Sequence, residues 1–161
     1  QGAVMTMLAH GFSAAALFML AGGLQHRIHT REMDKMGGLW GVAPKMGFMA
    51  LFFTVAAVGM PGLGNFIGEF LVLLGTFRIS SAAAALAAIG MVVAAVYSLI
   101  VIQKVFHGEN KNNLAFEDLT GVEIFCFGLM MIGLLWMGLY PQSMLDMSEP
   151  TLRSMGVLFF Q

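Results

Sequence analysis

Three ionisable side chains set in apolar sequence could move protons: Glu69, His10 and Lys104. Glu69 is the strongest of them, being the only acidic residue between Lys35 and His107. A carboxyl group inside a membrane span is costly to place and marks an ion or proton path by default. The plainer reading is a glutamate that hydrogen-bonds loosened backbone. His10 lies at i+4 from Thr6, and Ser13 at i+7, so the three share one helical face. That spacing makes a polar strip, against the plainer reading of a packed core histidine. Lys104 stands near the end of an apolar run, where a lysine commonly snorkels to the interface.

The stretch that must position Glu69 is Gly59-Met60-Pro61-Gly62-Leu63-Gly64-Asn65-Phe66-Ile67-Gly68-Glu69-Phe70. Pro61 removes a backbone donor and clashes with the preceding turn. Gly59, Gly62 and Gly64 each lower helix propensity. Together they predict a helix broken at membrane depth, with Asn65 as a cap for the second half. Backbone groups freed there cannot face lipid, so they are buried in protein or line a watered cavity. A broken helix beside an ionisable group is a known architecture for ion sites in transporters.

The surroundings are those of a membrane protein. Of 161 residues, 58% are hydrophobic and 11% charged, and mean hydropathy is +0.82. A soluble domain carries about 25% charged residues. The single cysteine, Cys126, excludes disulfides and cysteine metal clusters within the chain. His26 and His29 stand at i, i+3 but lack a further histidine or carboxylate set, so no metal site is expected. There is no GxGxxG, P-loop or cysteine-ligand spacing. Neither nucleotide, iron–sulfur cluster nor nucleic acid is an expected ligand, and no catalytic residue is assigned. The chain opens at Gln1 directly into an apolar segment, as expected of a piece of a longer protein.

The predicted fold is an all-α membrane protein of four transmembrane segments in a single domain, 1–161. The segments cover about residues 3–24, 44–58 with 65–77, 82–106 and 121–140. Gly11, Ala14, Ala15 and Ala16 in the first permit close helix contact. The second is discontinuous. Its halves are each about 18–21 Å long at 1.5 Å per residue, so they must share one crossing of a core about 30 Å thick. Arg78, Ile79, Ser80 and Ser81 read as a short turn, Trp40 as an interfacial anchor and Glu123 as a helix-start charge. Residues 142–161 read as a tail, interfacial or packed on a neighbour. Arg27, Arg31, Lys35, Lys45, Lys104 and Lys111 fall on one side, and Arg78 and Arg153 on the other. That bias places the first and third loops in the cytoplasm.

Three stretches carry a family resemblance: Met7 to Phe18, Arg27 to Trp40, and Gly59 to Phe70. They resemble the antiporter-like membrane subunits of respiratory complex I, specifically the M-type subunit of bacterial NADH–quinone oxidoreductase. The likeness covers nearly the whole chain. It implies helices eleven to fourteen of a fourteen-helix subunit of the bacterial inner membrane, with the discontinuous segment as the twelfth. Glu69 matches the glutamate on the family's twelfth helix, where paralogues carry lysine, and His10 matches the histidine on the eleventh. The family's other essential groups, on its fifth, seventh and eighth helices, lie outside these residues.

The resemblance implies a distal proton channel driven by quinone chemistry elsewhere in the complex, in a translocating enzyme of which this chain alone is not the catalyst. NADH, FMN, iron–sulfur clusters and quinone are then expected in other subunits, and the partners are other membrane subunits and the bilayer. The rival readings are a multisubunit sodium/proton antiporter, a membrane-bound hydrogenase, or a scaffold segment with no proton role.

Overall fold

The computed structural model describes the backbone of residues 1–110 and 112–159, and the side chains of 1–110 and 112–154. Lys111, counted above among the loop cations, lies outside the described residues, as do Phe160 and Gln161 of the tail.

The chain is helical: α1 Gly2–Ile28, α2 Leu39–Val42, α3 Pro44–Ala57, α4 Gly64–Ile79, α5 Ser81–Phe106, α6 Gly121–Leu139 and α7 Gln142–Phe159, with a 3-10 turn at Met33–Lys35. α1, α5 and α6 are long and apolar enough to cross a membrane, and α3 is a shorter apolar helix. α3 has 14 residues and α4 has 16, about 21 and 24 Å at the helical rise. Neither crosses alone, and the discontinuous second segment is present.

α1 continues four residues beyond its expected end, through Gln25, His26 and Arg27 to Ile28. Polarity there marks an exit from the apolar layer, while the helix itself ends only at His29. That residue adopts φ 55° and donates its N–H to Gln25 O. Between α4 and α5 the expected four-residue turn shrinks to Ser80, because Arg78 and Ile79 complete α4 and Ser81 opens α5. Ser80 Oγ accepts from the Ala83 N–H at 3.3 Å and so caps α5. The tail is helical from Gln142, started by Met144 and Leu145 N–H groups bonding to Pro141 O, and Pro150 lies inside it.

The core gathers Leu20 and Leu24 of α1, Met46 and Phe53 of α3, Ile102 and Phe106 of α5, and Phe127 and Leu134 of α6. Phe53 meets Phe127 at a centroid distance of 5.9 Å. α1 runs antiparallel to α4 at close range. A Cβ on Gly68 would lie 2.6 Å from Thr6 N, and one on Gly64 would lie 3.1 Å from Ala9 Cβ. The small residues at this contact include Gly64 and Gly68 of α4, facing Thr6 and Ala9, and Gly2 of α1, where a Cβ would lie 2.7 Å from Val72 N. Of the four small residues expected at close contact, Ala16 is fully buried in the core and Ala14 half-buried, while Ala15 is exposed and Gly11 faces open space.

The first and third loops interlock on one side of the bundle. Gly38 N–H donates to His107 O at 2.9 Å, and Asn112 Nδ2 donates to Lys35 O at 2.8 Å. Trp40, read as an interfacial anchor, is half-buried at this end of the bundle. It stacks on His107 with ring planes 11° apart and covers Gly47 of α3. That glycine leaves room for the indole.

Candidate functional site

The break is an ordered helix end rather than loosened backbone. With Val58 as the C-cap of α3, Gly59 N–H donates to Ala56 O at 3.1 Å and Met60 N–H to Val55 O at 3.2 Å. This is a Schellman motif, and it satisfies carbonyls that a helix end would otherwise leave bare. Gly59 takes φ 77°, which a residue with a Cβ adopts only under strain. Pro61 then follows three residues beyond Val58, where it cannot continue the helix. Gly62 takes φ 96°, and Leu63 stands in extended backbone as the N-cap of α4.

Glu69 is half-buried, just past the first turn of α4. Helical side chains tilt toward the N-terminus, so its carboxylate reaches back to the break. A Cβ built on Gly59 would clash with Glu69 Oε2 and lie 3.2 Å from its Cδ. The carboxylate thus rests against the end of α3. No hydrogen bond or ion pair ties it to another of the described residues.

His10 lies on the face of α1 that meets α4, and it is exposed. Ser13, one turn on, is fully buried and donates to His10 O at 3.2 Å. Asn65 Nδ2 in turn donates to Ser13 Oγ at 3.0 Å. Asn65 is therefore not the cap that its position suggests. It is the second residue of α4, Leu63 holds the N-cap place, and its amide ties α4 to α1. Its Oδ1 is buried with no donor among the described residues.

Of the residues singled out from the sequence, Glu69, His10, Asn65 and Gly59 come together where α1 crosses the break. Lys104 does not join them. It is 52% exposed in the last turn of α5, with Nζ 3.7 Å from Asp34 Oδ1 in the first loop. Gly64 packs against Ala9 and Met137, while Gly62 meets nothing that a Cβ would touch.

Three structural features are not apparent from the residues read singly. Arg27 Nη2 lies 2.8 Å from Glu123 Oε2, and Arg27 Nε donates to Glu117 O at 2.9 Å. Glu123 also completes a capping box with Thr120, which the pattern Thr120-Gly121-Val122-Glu123 spells out. Asp118 caps α3 from the far loop, accepting from the Lys45 and Met46 N–H groups at 2.9 and 3.0 Å. Gly138 of α6 lies flat on the break, where a Cβ would fall 2.5 Å from Leu63 Cα. A small residue in an apolar helix was the only sequence signal for that contact.

A family model described as NADH:quinone oxidoreductase/Mrp antiporter, TM, matches residues 1–98. NADH-quinone oxidoreductase subunit M of Escherichia coli (strain K12) is 45% identical over 152 residues, covering 92% of this chain and 30% of its own length. NADH-ubiquinone oxidoreductase chain 4 of Arabidopsis thaliana is 42% identical over 147 residues, covering 90% and 30%. The solved structure of respiratory complex I from Thermus thermophilus with bound NADH contains a chain superposing with TM-score 0.80 at 37% identity, covering 87% of this chain and 31% of that one. The chain thus spans about 30% of the length of the curated relatives it matches. The family match, the discontinuous membrane segment and the likeness to subunit M agree with one another, and the chain belongs to the NADH:quinone oxidoreductase/Mrp antiporter transmembrane family.

Proposed function

We propose that this chain forms part of a proton-translocating membrane subunit of NADH–quinone oxidoreductase, and that Glu69 carries protons in it. One observation supports this most: a half-buried carboxylate without a partner among the described residues, resting on a broken helix inside a membrane segment. Structural glutamates at such depth are held by cations or donors. His10, on the face of α1 that meets α4, serves as the neighbouring proton-exchanging group. Lys104 has a lesser place in this reading, as a group at the loop end of the path.

The chain corresponds to helices eleven to fourteen of the relatives, and the first and third loops face the cytoplasm of a bacterial inner membrane. Redox chemistry takes place in other subunits. NADH, FMN, iron–sulfur clusters and quinone act there, and this chain supplies a distal channel coupled to them. Its partners are the other membrane subunits of the complex. Moving one charge against 100 mV takes about 2.3 kcal/mol, less than the equivalent of two pKa units at about 1.36 kcal/mol each. A modest change around Glu69 is enough to switch it between loading and release.

The test is NADH-driven proton uptake into vesicles, normalised to assembled complex. Glu69→Gln keeps shape and hydrogen-bonding capacity but cannot ionise, and should lose most pumping. Glu69→Asp should retain more, and Glu69→Lys part of the activity. A sodium/proton antiporter role is the second reading, because the matching family spans both kinds of protein. Sodium-dependent uptake without quinone-linked pumping would favour it.

A further inference from the structure

We propose that Gly59 is the positioning residue for Glu69: the space where its side chain would be is the socket in which the carboxylate rests. This rests on the reading of Glu69 as a proton carrier. The two residues lie on opposite sides of the break, Gly59 closing α3 and Glu69 in α4. A Cβ at 59 would clash with Oε2 and stand 3.2 Å from Cδ and 3.6 Å from Oε1. The three nearest atoms to that point all belong to Glu69. Gly59 therefore does two separable things. It supplies the positive φ of the Schellman cap, and it leaves the carboxylate a seat against the end of α3. The seat joins the two half-helices through one side chain, so the state of the carboxyl and the geometry of the break are set together.

Gly62 separates the two roles. Its φ of 96° makes a Cβ strained there as well, but nothing lies within 4 Å of the place a Cβ would take. Gly62→Ala therefore carries backbone strain without touching Glu69. Shortening Glu69 to Asp withdraws the carboxylate by one methylene and empties the socket.

The experiment compares Gly59→Ala and Gly62→Ala, each with Glu or Asp at position 69, in the full assembled complex. Proton uptake per NADH oxidised is the readout, with Glu69→Gln measured alongside. Gly59→Ala should cut uptake several-fold with Glu at 69, and with Asp at 69 should cost no more than the strain alone, as Gly62→Ala does. Gly62→Ala should cost the same in both backgrounds. Hydrogen–deuterium exchange across residues 57–64 gives a second readout: added exchange on Gly59→Ala should be larger with Glu at 69 than with Asp, where only the strain remains. An equal loss from Gly59→Ala in both backgrounds, or failure to assemble in both, overturns the socket and leaves only strain. Parental pumping by Glu69→Gln sinks the proton-carrier reading instead, so the two failures are told apart.

Discussion

At the scale of single residues, a lone charge in apolar sequence singled out Glu69, and the i, i+4, i+7 spacing marked the face of α1 that meets α4. The charged pair that ties helix ends together was not legible, because Arg27 and Glu123 are 96 positions apart. Arg27 also donates to Gly23 O and Glu117 O, and its side chain is only 14% exposed. Charge-assisted hydrogen bonds of this kind contribute about 1.5–3 kcal/mol. Glu123, at 30% exposed, would keep part of its solvation if the pair were broken, so Arg27→Gln should destabilise by about 1–2 kcal/mol. Heat inactivation of the assembled complex should shift to lower temperature, and Arg27→Lys should shift it less because it keeps the charge, though it cannot reach Glu123 and Glu117 O together. An unchanged inactivation curve for Arg27→Gln would remove Arg27 from the account. Asn65 shows the opposite failure of residue reading. Its type and place favour a cap, but a buried hydroxyl on α1 holds its amide instead.

At the scale of elements, Pro61 and its glycines made the break visible, while its form depended on contacts that the local sequence does not show. Helix limits erred where polar residues were taken as loop, at the end of α1 and around Arg78, since leaving the apolar layer does not end a helix. What seats the break is α6: Gly138 has the backbone of Gly62 and Leu63 against it, with no flexible side chain to yield. Gly138→Ala should therefore push α6 away and cost about 1–3 kcal/mol, as overpacking does. Gly128, on the same helix, has open space at the Cβ position. Gly128→Ala should be neutral or stabilising by up to about 1 kcal/mol from helix propensity. Thermal inactivation of the two variants measures the difference, and equal behaviour would mean that the α6 contact does not hold the break.

At the scale of the whole molecule, two tied loops put the first and third connections on one side, in the alternation that the sequence requires of spans in series. Loop ties and the cap by Asp118 link residues about 70 positions apart, beyond what periodicity reads. Side assignment rests on the lysine and arginine bias. A cysteine at His29 should resist an impermeant thiol reagent added outside the cell, and one at Ser80 should label; the reverse pattern would invert the orientation. The central claim is the proton role of Glu69, and the most direct measurement is NADH-driven proton uptake by the Glu69→Gln complex, normalised to assembled enzyme. The variant should assemble as the parent does and lose most of its pumping. Uptake at the parental rate would make Glu69 a structural residue and contradict the account.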